Sequence, residues 1–551
     1  MATDREFVRA RVTSGLRIGT FLSPLLLVVL LFGLLPPILL FLSGVDAIGG
    51  LGSVPGIVQQ PLNLDAFSNS LEQGALSAAI AVAVGYPAGV FLGRYEWPGR
   101  TAIRGFLLIP FLLPTVVVVL GILDLFGTNG IATRTWPALA VFRRGIPAIV
   151  AANLVFNVSI VVLLTAVGVE TASGPLEDSV ATLGGGPVRA YREVWGPPSW
   201  VGAAAAGLLT FIFSALSFAP PLLLCGARCY TLEARVWWLD YTLGDATTSA
   251  VLAFVMVLLL VLPTGGYLYL VGRLRARTDP QAVQPRPFPR RSVFAWGLLV
   301  ETVLVVTGVG ILLAALLDRA FVSPSGSASL AGWSDLFGGH TTAVLGISIV
   351  GTVENTLFFA TSGAVIVLLL AISAGYVLAG RSRLGRSLRF YLFLPLLFSP
   401  VVVAFGLASF WRPILGGESM VWVLIILSQT TLALPFALQS LELPLRRLTP
   451  TLRESARVLG APPWIGYVDA DLPRARSGLF TAALFAFAFC LGEFTATYFL
   501  VTPNFTTLPV AVYNLQSVRL DTVSNAAAGL LILVSGAVFA LLLAGGRRVE
   551  F

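Results

Sequence analysis

The chain has 551 residues, 56% of them hydrophobic and 11% charged, a formal net charge of +8 and a mean hydropathy of +0.88; a soluble globular chain carries about 25% charged residues. Those figures exclude a soluble domain and leave a polytopic membrane protein. All 35 basic residues are Arg, and a P-loop needs a Lys to reach the β- and γ-phosphates, so any ATP is handled by another subunit.

In chain order, Arg5, Arg9, Arg11 and Arg17 precede an apolar segment over about 18–43. That run exceeds the roughly 7–15 residues of a cleaved signal core and reads as a signal anchor. Runs long enough to cross about 30 Å of hydrocarbon follow over 72–93, 104–126, 146–169, 201–224 and 248–271, completing six spans. Arg273–Arg291, RLRARTDPQAVQPRPFPRR, is rich in Pro and Arg with no apolar period, and reads as an extended cytoplasmic linker. Six more spans are predicted over 294–317, 349–379, 388–411, 421–443, 478–500 and 524–545. The fold class is therefore all-α, with about twelve transmembrane helices.

With the N-terminus inside, the inner segments hold 27 of the 35 Arg residues and the outer ones 8, as the positive-inside rule requires. Arg134, Arg143 and Arg144, all in one outer loop, are the main dissent. Both termini are expected on the cytoplasmic side of the cell membrane.

The two halves repeat each other. Leu176–Ala250 aligns on Leu452–Ala526 without a gap, with 20 identities in 75 positions, among them Asp245 on Asp521 and Thr231-Leu232 on Thr507-Leu508. Upstream, Asn69-Ser70-Leu71 answers Asn355-Thr356-Leu357, Gly93-Arg94 and Gly99-Arg100 answer Gly380-Arg381 and Gly385-Arg386, and Pro110 and Pro114 answer Pro395 and Pro400. The domains expected are residues 1–272 and 294–551 joined by the linker 273–293, as parallel six-helix repeats with a path between them. Pro and Gly inside spans three and nine read equally as cavity-lining breaks or as packing kinks.

The most polar repeated stretches are 177–198 and 453–474. Each reads as a short helix, a turn at Gly184 or Gly460, a second short helix, and a Pro (Pro197 or Pro473) that stops it before the next span. Glu454-Ser455-Ala456, Gly460 and Leu472-Pro473 resemble the EAA loop of ABC-importer permeases, and Asp178, Ser179, Gly184 and Pro197 resemble it with departures at Asp178, Val180 and Gly196. The resemblance implies that both loops are coupling helices for two copies of an ATP-binding cassette ATPase, with cargo delivered by an extracytoplasmic binding protein. It implies no cofactor on this chain, ATP being used by the partner subunit, and no nucleic acid; membrane lipid is the remaining partner.

Two fused halves are typical of the thiamine and ferric-iron systems. Leu113-Pro114 through Gly121-Ile122-Leu123, Asn153–Asn157, and Phe211–Phe213 through Ser217-Phe218-Ala219 resemble the thiamine permease, while Leu491–Phe494 and Asn504–Pro509 fit both groups. Thiamine is the first expectation for the substrate and ferric iron the next. A secondary transporter of 6+6 major-facilitator-like architecture is the alternative. Against it, the large repeated loop falls between spans four and five of each half, and few ionisable groups within spans could relay protons. One His and scattered carboxylates leave no catalytic constellation.

Cys225, Cys229 and Cys490 with the lone His340 make a poor metal site, so no metal is expected; the cysteines read best as small buried hydrophobes, with an external Cys225–Cys229 disulfide as the lesser reading. Glu493 lies in span eleven, and its repeat partner in span five is Ser217. An intramembrane carboxylate is costly, so Glu493 either faces the translocation path or caps and packs near the end of its span.

Overall fold

A chain in hydrocarbon must close its backbone hydrogen bonds within each segment, and the computed structural model is helical nearly throughout. It describes residues 27–128, 130–172, 174–276, 285–322, 327–339, 341–378, 391–415, 417–447, 455, 458–460 and 465–546. Glu454, Ala456, His340, Gly380, Arg381, Gly385 and Arg386, all named above, lie outside the described residues.

The first half runs α1 (Leu35–Ala47), α2 (Pro61–Arg94), α3 (Arg100–Leu112), α4 (Thr115–Phe126), α5 (Ile146–Glu170), α6 (Gly174–Thr182), α7 (Gly196–Ala215), α8 (Ala219–Leu224) and α9 (Ala246–Ala276). The second runs α10 (Val293–Phe321), α11 (Ile349–Leu378), α12 (Pro400–Ile414), α13 (Val421–Arg447), α14 (Arg476–Gly492), α15 (Thr495–Leu500), α16 (Leu508–Ser517) and α17 (Asp521–Gly546). Among the described residues, 8 helices are long and apolar enough to cross a membrane, or up to 11 if each of three bent pairs is one span.

Four expected spans are not single helices. The third breaks at Leu113, whose extended backbone separates α3 from α4, with Pro114 at the start of the second piece. The ninth breaks between Tyr391–Leu397 and Pro400–Ile414, which meet at 101°, where the Ser399 hydroxyl accepts the Val402 N–H at 3.1 Å. Proline lacks an N–H and is disfavoured inside a helix but suits its first turn, which is why both breaks fall at repeat-related prolines. The fifth and eleventh break after Ala215 and Gly492, leaving α8 and α15 as separate short helices.

Two compact units result. One comprises Ser43–Ile349 and Leu508–Ile532, the other Met1–Leu42, Val350–Thr507 and Leu533–Phe551. In the first, α2 and α5 approach closely because Gly85, Gly89 and Gly93 recur every fourth residue along one face of α2. A Cβ added at these positions would lie 2.9 Å from Val161 Cβ, 2.5 Å from Thr165 Cβ and 2.7 Å from the Ala166 carbonyl. Such small-residue seams replace the missing hydrophobic drive between membrane helices with backbone proximity. Helix α10 belongs to this unit, and a Cβ at Gly121 of α4 would meet Leu316 and Leu312 of α10 at 3.0 and 3.1 Å. In the other unit, Trp411 Nε1 of α12 donates to the Leu31 carbonyl at 3.1 Å, and Gly406 leaves room for Pro36. Sequence repeat and packing thus divide the chain differently: the leading helix of the second half packs with first-half helices, and Leu31–Leu42 packs with second-half helices.

Candidate functional site

The two repeated polar loops begin alike. Helix α6 ends in a tight turn in which the Gly184 and Gly185 N–H groups donate to the Ala181 and Val180 carbonyls at 3.0 and 2.8 Å. Gly184 has φ of 76° and Gly460, its counterpart, 81°, the left-handed conformation that favours glycine at a helix C-terminus. In the second loop the Leu459 N–H donates to the Ser455 carbonyl at 3.1 Å just before that turn. Leu183 and Leu459, one residue before each turn, are 77% and 86% exposed. Ser179 turns inward on its own helix, its hydroxyl donating to the Pro175 carbonyl at 2.8 Å.

The loops end differently: the chain bends just after Pro473, as expected from the sequence, but not at Pro197. Pro197 lies in the first turn of α7, and helix runs on from Pro187 to Ala215 through a widened turn at Tyr191–Trp195. Pro473 lies one residue before the end of the helical stretch Gly466–Arg474, which meets α14 at 78°. Pro473 therefore marks the end of its helix, while Pro197 is carried within continuous helix just past the widened turn.

Both loops are anchored to the same turn of the long helix of their own half. Tyr191 OH lies 3.0 Å from Tyr86 OH on α2 and accepts from Trp200 Nε1 at 2.7 Å. Its repeat partner Tyr467 donates to the Ile372 carbonyl on α11 at 2.8 Å. Tyr86 and Ile372 are 286 positions apart, as are Asn69 and Asn355 near the other end of these helices. Asn69 Nδ2 donates to the carbonyls of Arg228 and Tyr230 at 3.1 and 3.2 Å, and Asn355 Nδ2 to those of Asn504 and Thr506, both at 3.1 Å. From Asn69 to Tyr86 a helix rises about 26 Å, close to the hydrocarbon thickness. Each long helix therefore holds a polar loop at one end and the segment after span five or eleven at the other. The Asn pair was visible as a repeated residue, but the tyrosines were not singled out, because a hydroxyl partner on another helix leaves no trace in sequence spacing.

The acidic start of the first loop is paired. Arg94 donates bidentately to Glu177, at 2.5 Å from Nη2 and 3.2 Å from Nη1, and its guanidinium stacks 4.4 Å over the Trp195 ring. Asp178 accepts from Arg286 Nη2 at 2.7 Å. Glu170, at the end of α5, accepts from Arg100 at 2.6 Å and from Arg104.

Ser217 and Glu493 sit in the breaks that follow α7 and α14. The Ser217 hydroxyl donates to Asn153 Oδ1 at 3.2 Å, while its carbonyl accepts from the Thr231 hydroxyl at 2.7 Å. Glu493 is buried, and both carboxylate oxygens are engaged: Oε1 accepts the Ala496 N–H at 2.7 Å, and Oε2 accepts the Thr497 N–H and hydroxyl at 2.8 and 2.6 Å. It is the cap of α15, supplying acceptors to N–H groups that a helix start leaves unpaired. Gln429, repeat partner of Asn153, donates to the Thr497 hydroxyl at 3.3 Å. Each half thus places an amide of its fourth span against the break in its fifth.

Cys225 and Cys229 are joined in a disulfide, where the sequence reading preferred unpaired small hydrophobes. The turn at Gly226, with φ of 75°, brings their Cα atoms to 5.7 Å, inside the range a disulfide spans. Cys490 is free and buried.

No family model matches the chain. Over 458 residues, 81% of this chain and 82% of the relative, it is 25% identical to the thiamine transport system permease protein of Salmonella typhimurium. It is 34% identical over 209 residues to the molybdenum transport system permease protein of Mycobacterium tuberculosis, 37% of this chain and 79% of that one. The corresponding protein of Haemophilus influenzae is 30% identical over 182 residues, 30% of this chain and 79% of its own length.

Proposed function

We propose, for a chain that belongs to the permease subunits of ABC importers and is therefore not an enzyme, that the imported substrate is thiamine. The observation that carries this reading is extent. The relative named for thiamine aligns through both halves, over 81% of the chain, whereas the molybdenum permeases align with 30–37% of it. Molybdenum, for which several of the relatives are named, is the second reading, beside the ferric iron expected from the sequence.

An ATPase and a substrate-binding protein serve such permeases. In our reading two ATPase copies dock on the loops 177–198 and 453–474, with Asp178, Ser179, Gly184 and Pro197 in the first and Glu454, Ser455, Ala456, Gly460 and Pro473 in the second. Three features support that assignment: the equivalent left-handed glycines, the exposed Leu183 and Leu459, and the matching tyrosine anchors on α2 and α11. Moving a permease from 1:99 to 99:1 between two conformations takes about 5.5 kcal/mol of differential binding. ATP-driven closure of the partner subunits supplies that difference through the loops, and the long helices pass the displacement to the segments held by Asn69 and Asn355. Both loops then lie in the cytoplasm, as do both termini. The Cys225–Cys229 segment faces the opposite, oxidising side, which agrees with where disulfides persist.

Glu493 and Ser217 enter this reading as supports of the break in spans five and eleven. A cationic substrate passing that break would meet the Glu493 carboxylate only if its bonds to α15 opened.

The test is uptake of labelled thiamine at nanomolar supply by cells lacking this chain. Loss of uptake, restored by the intact gene, supports the assignment. Unchanged thiamine uptake alongside lost molybdenum uptake overturns it.

A further inference from the structure

The linker between the halves does not remain a plain spacer over its whole length. Arg286–Pro287 (β2) pairs in parallel with Tyr95–Glu96 (β1), the strand that follows α2, with Tyr95 opposite Arg286 and Glu96 opposite Pro287. Phe288 packs edge-on against Phe91, Tyr95 and Trp296, with ring centroids 6.0, 5.9 and 5.2 Å apart. Ser292 then caps α10, accepting the Ala295 N–H at 3.3 Å. Backbone pairing, an aromatic seat and a helix cap thus fix Pro285–Ser292 in one place, and from it Arg286 reaches the first polar loop. Its Nη2 lies 2.7 Å from Asp178 Oδ1 and 3.6 Å from Glu177 Oε2. Glu177 is itself buried and held by Arg94, whose guanidinium rests on Trp195 at the far end of the same loop.

The second repeat has a different set of residues at these positions. Arg453 stands where Glu177 does and Asp471 where Trp195 does, so both the carboxylate between the two guanidiniums and the aromatic seat of Arg94 are replaced by residues of another charge.

We propose that Pro285–Ser292 is an intramolecular strap for the first polar loop, with Arg286 as its positioning residue. The strap sets α6 in place before any partner arrives. The two ATPase-docking loops are therefore unequal: the first is held by the chain's own linker through Glu177 and Asp178, and the second carries Arg453 and Asp471 where Glu177 and Trp195 stand. The structural part stands on the geometry alone, while its consequence for ATPase docking rests on the function proposed above.

The experiment is amide hydrogen exchange on the full-length chain in nanodiscs without ATPase. Arg286→Ala removes the charge from a side chain already 41% exposed, and amides of residues 176–186 are expected to exchange about fivefold faster, as for loss of one partly exposed ion pair in a local opening. Amides of 458–474 should not change. The swapped pair Arg286→Asp with Asp178→Arg should return exchange in 176–186 towards the original rate, and it carries the test if the single variant fails to fold. Unchanged exchange in Arg286→Ala, or no recovery in the swapped pair, overturns the strap. A second measurement separates the two readings. With the co-purified ATPase, Arg286→Ala should lower transport per ATP hydrolysed. If exchange rises as expected but that ratio is unchanged, the strap holds and the coupling role of this loop fails.

Discussion

Among single residues, Gly184 and Gly460 give the sharpest contrast between space and backbone. A Cβ added at either meets nothing within 4 Å among the described residues, yet both have positive φ. Alanine there should cost only the left-handed penalty, about 1–2 kcal/mol, and leave the protein inserted. Gly460→Pro demands φ near −65° and should reshape the turn, abolishing ATPase association and uptake at normal expression; a purified variant that still bound its ATPase and transported would remove the docking role from that loop. Glu493 poses a different question, because its two oxygens serve α15. Glu493→Ala should destabilise the chain by about 1–2 kcal/mol, the value of a lost cap, seen as a lowered melting temperature. Glu493→Gln keeps one acceptor but turns an NH2 group towards N–H donors, so it too should lower the melting temperature. Lost transport with unchanged melting in that variant would instead place Glu493 on the substrate's path.

Whole elements interact through seams and anchors that repeat. Gly89 lies where an added Cβ would come within 2.5 Å of Thr165 Cβ and 2.7 Å of the Val162 carbonyl, so Gly89→Val should force α2 from α5 and leave little folded protein on size exclusion. Tyr467→Phe and Tyr191→Phe act more gently. Each removes hydroxyl bonds worth about 1 kcal/mol apiece between a loop and its long helix, and transport per ATP should fall while the protein still folds. If both variants keep that ratio, the long helices do not carry the displacement. The breaks in spans three, five, nine and eleven belong to this scale as well. They come from proline geometry and from side-chain caps such as Ser399 and Glu493, and they show why a continuous apolar run need not be one helix.

In the whole molecule, the compact units mix helices from both halves, which predicts how the chain tolerates being cut. Residues 1–292 expressed alone lack α10, which packs on α2 and on Gly121 of α4, and should accumulate poorly. Co-expression with 293–551 should restore both pieces. Full accumulation of 1–292 by itself would mean that α10 is dispensable to the first unit.

Composition by itself determined the class, because so few charges over so long a chain admit only a helical membrane protein. The gap-free repeat determined where the polar loops lie, and the need for a left-handed residue at a helix end made Gly184 and Gly460 legible as turns. Three things were decided only by the tertiary structure. The leading helices pack with the opposite half, since hydrophobic periodicity reports that a helix is apolar and not which neighbour it covers. Helix runs on through Pro197 but bends just after Pro473, since a proline beside a widened turn is compatible with either outcome. Arg286 reaches Asp178 across more than a hundred residues, and so distant an ion pair depends on how the helices between them fold back, which no local pattern encodes.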